Sequence, residues 1–174
     1  MPAAGPVRGA IVQQKKIANM GSRVATCQAP RLVLHGQSDE TYWLREEVTH
    51  VPVRPNGLYN FVKVETSGPI HLSKIDGHPA LAEGQPVEYA GEVTFDDGRI
   101  RFWSNASGNY QPRVDLHDQA GLPEEKFLSH DDVLRGKGRR RPNPTGALSS
   151  PAEQHAAAVA AARVVSSASA PRKR

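Results

Sequence analysis

The dipeptide Asp97-Gly98 constrains the fold of this chain more than any other feature, because it lies between two stretches with the pattern of β-strands. Apolar and glycine positions alternate with mostly polar ones over residues 87–95, the period of two of a half-buried strand. Residues 100–104 provide a second such stretch. Asp-Gly supplies the two positive φ angles of a tight hairpin turn. The sequence therefore predicts an antiparallel β-hairpin over residues 87–104.

The hairpin turn also predicts which residues face each other. With Asp97 and Gly98 as the only loop residues, Phe95 lies opposite Ile100, Val93 opposite Phe102, Gly91 opposite Ser104, Glu92 opposite Trp103 and Thr94 opposite Arg101. Arg101 is then a diagonal neighbour of Glu92. We expect a solvated charge pair between these two side chains, of the kind that contributes a few tenths of a kcal/mol.

The hairpin is followed by a turn rich in small polar residues, Trp-Ser-Asn-Ala-Ser-Gly-Asn-Tyr-Gln-Pro. Ser, Asn and Gly favour an irregular turn, because their short side chains bond neighbouring backbone groups. Gly108 is expected to adopt a conformation that a β-carbon would disfavour. Two interpretations remain open. Either the turn is stabilised by its own side chains while Trp103 and Tyr110 cover the core, or a ligand uses the same polar groups.

A longer pattern includes both the hairpin and the turn. Its first part reads H-x-x-L-x-x-G-x-x-V-x-x-A-G-E and corresponds to His78, Leu81, Gly84, Val87, Ala90, Gly91 and Glu92. Its second part reads G-x-I-x-x-W-x-N-x-S-G-x-Y-x-P and corresponds to Gly98, Ile100, Trp103, Asn105, Ser107, Gly108, Tyr110 and Pro112. This pattern resembles a bacterial module found at the C-terminal ends of polymorphic, Rhs-type toxins and in stand-alone effector-like proteins. It also resembles part of the plant IQ-motif calmodulin-binding proteins. The resemblance covers residues 57–128.

The resemblance implies a bacterial effector- or toxin-type module without identifying a reaction or a cofactor. As an enzyme, it would act on a nucleotide-like or macromolecular substrate. The catalytic candidates are His78, Glu92, Ser107 and Tyr110, and the ligand-binding candidates are Trp103, Asn105 and Asn109. Asn109 departs from the pattern, which usually has His at this position. This departure removes a candidate for a general acid or base from the turn. The alternative is a non-catalytic module that binds a small ligand or a host protein against Trp103 and Tyr110.

The strand patterns are confined to the middle of the chain, which predicts one domain and two tails. Residues 31–134 are predicted to form a small α+β domain, mainly an antiparallel sheet of about five strands folded over itself, with one or two short helices. Residues 1–30 are basic, contain no acid and are predicted to be disordered. Residues 135–174 are predicted to be a basic tail rich in Ala and Ser, with a marginal helix over residues 151–166.

The charge of the chain is divided unevenly between the predicted domain and its tail. The net charge is +4. From Arg135 onward, nine Lys or Arg residues and a single acid give +8, which leaves −4 for residues 1–134. The asymmetry therefore points to a tail that binds nucleic acid or anionic lipid weakly, rather than to a basic nucleic-acid-reading fold.

The remaining composition excludes several classes of protein. Cys27 is the only cysteine, so no intrachain disulfide and no cysteine-rich zinc site can form. The histidines lack the spacing of a metal site, and we expect none. No apolar run approaches the 18 or so residues of a membrane-spanning helix, and none resembles the apolar core of a signal peptide. The protein is expected to be cytoplasmic, or secreted by a route without a conventional signal peptide.

Overall fold

The fold is a seven-stranded antiparallel sheet. The structure, a computed structural model, describes residues 15–21, 26–37 and 39–138. Its strands are β1 (Leu32–Gly36), β2 (Tyr42–Glu46), β3 (Pro52–Val53), β4 (Gly57–Lys63), β5 (Ile70–Ser73), β6 (Tyr89–Asp96) and β7 (Arg99–Ser104). They lie in the order β3-β2-β1-β5-β4-β6-β7, and all neighbours are antiparallel. Two short α-helices, α1 (His78–Leu81) and α2 (His130–Leu134), accompany the sheet, with 3-10 helices at Val114–Ala120 and Glu124–Lys126. The small α+β fold is confirmed.

The turn between β6 and β7 has the predicted conformation. Asp97 and Gly98 both have positive φ, at 45° and 83°, as a two-residue turn of this kind requires. Phe95 faces Ile100 as predicted. The short turn therefore fixes the register of the first pairs of the hairpin.

Further from the turn the predicted register is wrong, because a β-bulge lies between Thr94 and Phe95. Arg101 is the extra residue on β7 and has no counterpart on β6. Val93 consequently faces Trp103. Because side chains alternate between the faces of a sheet, this shift of one residue moves Trp103 from the face of Glu92 to the opposite face.

The same bulge removes the charge pair predicted for Glu92. Glu92 faces Ser104, and the guanidinium of Arg101 lies 6.0 Å from the ring centre of Phe102. Among the described residues, Glu92 and Arg101 form no ion pair. Glu92 is thus left without the partner that the sequence assigned to it.

The sheet curls until its two halves meet, which encloses one face. The backbone N–H of Tyr42 donates to the carbonyl of Gly98 at 2.7 Å, and Thr41 forms a bridge with Arg99. The enclosed inner face holds the main core, built from Leu44, Tyr59, Phe61, Leu72, Tyr89, Val93, Phe95, Ile100, Trp103, Ala120 and Leu122. Burial of these large side chains is the main source of stability for a domain of this size.

The outer face of the sheet is covered only in part. Helix α1 packs there, and Val62 and Ala90 contribute to a second, smaller core together with Leu81 of the helix. On β4, Phe61 therefore points inward and Val62 outward.

Residues 15–21, here called the N-terminal strap, extend this second core. Ile17 and Val87 exchange two backbone hydrogen bonds of 2.7 and 2.9 Å. The side chain of Gln119 accepts from the backbone N–H of Lys15 at 3.0 Å and donates to its carbonyl at 3.2 Å. These contacts lie within the segment that the sequence assigned to a disordered region, so contacts with the sheet begin well before residue 31.

The beginning of the predicted basic tail also contacts the domain. Lys137 forms an ion pair of 2.9 Å with Asp132, and a β-carbon on Gly138 would lie 2.9 Å from the ring of Phe102. Residues 1–14 and 139–174, with the predicted helix over residues 151–166, lie outside the described residues. Within the described part of the chain, no helix has the length and apolar character needed to cross a membrane.

Candidate functional site

A cleft of about 340 Å³ lies between the turn of residues 105–112 and the start of α2, and we call it the turn cleft. Its polar lining consists of Asn105, Ser107, Gln111, Ser129, His130 and Asp131. The Ser107 turn, which the sequence indicated as a candidate site, therefore lies opposite the start of α2, which the sequence did not indicate.

Asn105 connects the two walls of the turn cleft. Its Nδ2 donates to the carbonyl of Pro112 at 2.9 Å, and its Oδ1 accepts from the backbone N–H of His130 at 2.8 Å. Both ends of the amide are thus occupied by protein groups. Asn105 shapes the cleft by holding its walls together, and its predicted role in ligand binding would have to compete with these two bonds.

Ser107 closes the turn and still has a group to offer a ligand. Its carbonyl accepts from the N–H of Gln111 at 2.9 Å, and its Oγ accepts from the N–H of Tyr110 at 3.4 Å. A hydroxyl that accepts one bond can also donate one. Ser107 is therefore the member of the turn best able to bind a polar ligand.

The expectation for Gly108 is wrong, and Gly91 is the glycine that the fold requires. A β-carbon on Gly108 would meet nothing within 4 Å, and its φ lies outside the positive range. A β-carbon on Gly91 would lie 1.9 Å from the carbonyl oxygen of Ser104. The absence of a side chain at Gly91 allows β6 and β7 to approach at this point.

The second wall of the turn cleft is formed by the first residues of α2. Ser129 is the N-cap, and its hydroxyl accepts from the N–H of Asp132 at 3.2 Å. This cap begins the helix at His130, so His130 and Asp131 lie at the cleft. Neither residue was predicted from the sequence, although Ser followed three positions later by Asp is a recognised signal of a helix start.

Glu92 is a half-buried carboxyl close to this wall. Burial raises the pKa of Glu92 above its usual value, and the charge of His130 lowers it to a smaller extent. Ser104, the cross-strand neighbour of Glu92, immediately precedes Asn105 in the chain. A carboxyl with a perturbed pKa within electrostatic reach of an imidazole is a common feature of functional sites.

His78 and Tyr110 lie in the core and not in the turn cleft. His78, at the start of α1, is 7% exposed, and its Nε2 donates to the carbonyl of Gly91 at 2.8 Å. Burial lowers the pKa of His78, which favours the neutral imidazole, and the bond to Gly91 opposes this effect. Tyr110 is 1% exposed and donates its hydroxyl to the carbonyl of Gln85 at 2.8 Å. Both side chains brace the sheet.

Of the remaining ligand-binding candidates, Trp103 is occupied by protein contacts, and Asn109 is held through its backbone. Trp103 is fully buried, and its Nε1 donates to the carbonyl of Pro123 at 2.7 Å. The backbone carbonyl of Asn109 accepts from the N–H of Met20 in the N-terminal strap at 2.9 Å. The predicted surface of Trp103 and Tyr110 is therefore part of the core, so a ligand could not stack there without unfolding it.

Within the described residues, no group of three or more His, Cys, Asp and Glu side chains is placed to hold a metal ion. In comparisons with protein-family models, curated proteins and solved structures, nothing matched this chain. The resemblance to the bacterial module therefore rests on the sequence pattern alone. In the structure, Trp103, Tyr110, His78 and Gly91 are framework residues of that pattern, whereas Ser107 and Asn105 lie at the turn cleft.

Proposed function

We propose that this chain is a bacterial effector- or toxin-type module that holds a polar ligand in the turn cleft. The observation that carries the proposal is the meeting of Ser107 with His130 and Asp131 across a cleft of about 340 Å³, a volume within the usual range for sites that bind small molecules. The sequence pattern supplies the bacterial setting, and with it a cytoplasmic location or export without a conventional signal peptide.

The lining of the turn cleft favours a particular part of a nucleotide-like or macromolecular substrate. Ser107, Gln111 and His130 offer hydrogen-bond donors and acceptors, while Asp131 supplies a negative charge. A phosphate would be repelled by that carboxylate, and a sugar hydroxyl or an amide would be accepted. We therefore expect the cleft to bind the uncharged polar part of its substrate.

Catalysis in this cleft is the second form of the proposal, and the Glu92–His130 pair favours it. A positioned imidazole can accept or donate a proton near neutral pH. Burial raises the pKa of Glu92, and the charge of His130 opposes this shift, which couples the carboxyl electrostatically to the cleft. The non-catalytic form needs only the hydrogen bonds of the cleft.

The test compares Ser107→Ala, His130→Gln and Glu92→Gln with the unchanged full chain. Growth of cells that express the chain reports toxicity, and thermal shift with panels of nucleosides and sugars reports binding. Loss of toxicity or binding is the expected result for all three, with an unchanged melting curve for Ser107→Ala and His130→Gln and a somewhat higher melting temperature near neutral pH for Glu92→Gln. Glu125→Gln is the matched control, because Glu125 is exposed and lies outside the turn cleft.

The same variants separate the two forms and can reject both. A catalytic site predicts that His130→Gln and Glu92→Gln abolish toxicity while the ligand-induced thermal shift persists. A binding module predicts that shift and toxicity fall together. If the variants behave as Glu125→Gln does in both assays, the turn cleft is not the functional site.

We further propose that the basic tail adds weak affinity for nucleic acid or anionic lipid. Its +8 charge would release counterions on binding, so the affinity should fall steeply with salt. Removal of residues 135–174 should abolish binding to anionic lipid vesicles and to duplex nucleic acid. Lipid or duplex binding that ignores ionic strength, or persists after the deletion, would contradict the idea.

A further inference from the structure

A second cleft lies on the outer face of the sheet, on strands β1 and β2. Its volume is about 320 Å³, and it is lined by His35, Gly36, Gln37, Trp43, Arg45 and Pro52. We call it the Trp43 cleft. Arg45 pairs across the sheet with Val33, Val33 with His71 and His71 with Val62, which belongs to the outer core. Trp43 is two residues from Arg45 and therefore shares this outer face.

The indole of Trp43 is held in place while part of it remains accessible. The guanidinium of Arg54 lies 5.5 Å from the centre of the ring, and an ion pair of 2.7 Å with Asp97 fixes that guanidinium. Arg54 does not line the Trp43 cleft, whereas Trp43 does. The ring thus presents a preorganised aromatic surface to the cleft.

The electrostatic character of the Trp43 cleft is positive. None of its six lining residues is acidic. Arg45 is exposed and has no ion-pair partner among the described residues, whereas Arg31, Arg54 and Arg113 each bind a carboxylate. His35 faces Trp43 directly across the strands. An unpaired guanidinium beside an aromatic surface is suited to a ligand that combines a planar ring with a negative charge.

We propose that the Trp43 cleft binds single-stranded nucleic acid, with one base stacked on Trp43 and its phosphate beside Arg45. Base stacking on an aromatic side chain, combined with a cationic groove, is the usual basis of such binding. The open form of the cleft favours a strand over a free nucleotide. All its lining residues except Trp43 are exposed, whereas sites for small molecules enclose most of the ligand surface. This inference does not depend on the function of the turn cleft.

The test uses the full chain and a fluorescein-labelled oligothymidylate of about ten nucleotides, within the usual length range of such sites. The chain has two tryptophans, and Trp103 is fully buried. Quenching of tryptophan fluorescence by a stacked base therefore reports on Trp43. Trp43→Leu should weaken binding about fivefold or more, and Trp43→Phe should keep most of the affinity while the quenching disappears.

Arg45→Ala tests the electrostatic half of the proposal without touching a buried group. The slope of the logarithm of affinity against the logarithm of salt concentration should become shallower by roughly 0.7, the value for one phosphate contact on a single strand. Arg113→Ala is the matched control, because Arg113 is an exposed arginine outside the Trp43 cleft, and its slope should equal that of the unchanged chain. The basic tail is present in every variant, so its contribution cancels.

Three results would overturn the proposal. The first is an absence of tryptophan quenching at saturating oligothymidylate. The second is unchanged affinity in Trp43→Leu together with an unchanged salt slope in Arg45→Ala, which would assign all binding to other surfaces. The third is equal quenching by thymidine monophosphate at the same nucleotide concentration, which would mean that the cleft binds a mononucleotide and not a strand.

Discussion

The inner and outer faces of the sheet use the same kinds of residue for different purposes. On the inner face, Trp103 packs edge-on against Phe61 and Tyr89, with ring centres 6.0 Å apart in both pairs, and is fully buried. On the outer face, Trp43 lies under the cation of Arg54 and opens to a cleft. A tryptophan in a strand pattern is therefore not informative alone, because the neighbours across the sheet decide between a core role and a binding role.

The largest expected effect separates these two tryptophans. Trp103→Ala should lower the free energy of unfolding by about 3–5 kcal/mol, the usual cost of removing a large buried aromatic. Trp43→Ala should cost less than half as much, because its side chain is only partly buried. Urea unfolding followed by circular dichroism measures both changes. Equal losses would mean that the outer face supports the fold as strongly as the inner face does.

The next effect compares two glycines of the same pattern. Gly91→Ala places a methyl group 1.9 Å from the carbonyl oxygen of Ser104, which must push β6 and β7 apart, so we expect a loss of about 2–3 kcal/mol. Gly108→Ala meets open space and should change stability by less than about 0.5 kcal/mol. Thermal melts of the two variants give the comparison. A larger loss for Gly108→Ala would restore the expectation from sequence.

A smaller effect distinguishes framework from cleft within the turn itself. Tyr110→Phe removes the hydroxyl that donates to the carbonyl of Gln85 and should cost about 1 kcal/mol. Ser107→Ala removes only a long bond of 3.4 Å, and we expect less than about 0.5 kcal/mol. Chemical denaturation of the two variants tests the order, which would be reversed if Ser107 braced the turn more firmly than Tyr110 does.

The smallest effect concerns the pH dependence that Glu92 contributes. Its pKa in the folded protein is raised above the usual value near 4.5, so the native state binds the proton more tightly than the unfolded chain. This contribution to stability is fully present below pH 4.5 and is lost as the pH rises through the raised pKa. Glu92→Gln should remove this dependence. Melting temperatures of both proteins from pH 4 to pH 8 should therefore converge at the acidic end and diverge towards neutrality, with the variant the more stable there.

The fold was predictable from the sequence to the extent that short-range chemistry determines it. Asp97-Gly98 predicted the turn between β6 and β7, and both residues have the positive φ angles that this turn requires. The bulge at Arg101 was not predictable, because residues 99–104 contain no glycine or other local signal of a bulge. The burial of Glu88 was also not predicted. This residue lies at a polar position of the strand pattern, but it is 2% exposed and lies beside Lys16 of the N-terminal strap.

The candidate site was predictable only in part for a related reason. Ser107 and Asn105 belong to the turn that the sequence singled out, and both line the turn cleft. His130 and Asp131 lie more than 20 residues further along, so no local pattern connects them with that turn. Membership of the same motif also could not distinguish the residues that stabilise the fold, Trp103 and Tyr110, from Ser107, which lies at the cleft.

The N-terminal strap has a consequence for the way this protein is made. Lys15 bonds to Gln119, a residue 104 positions later. A ribosome adds roughly 5–20 residues per second, so the strap waits about 5–20 s before its partner exists. Ile17 waits about 3.5–14 s by the same rate for Val87, which lies 70 positions later. Until then its backbone groups are available to other chains, so completion of the outer core depends on two segments that are synthesised far apart in time.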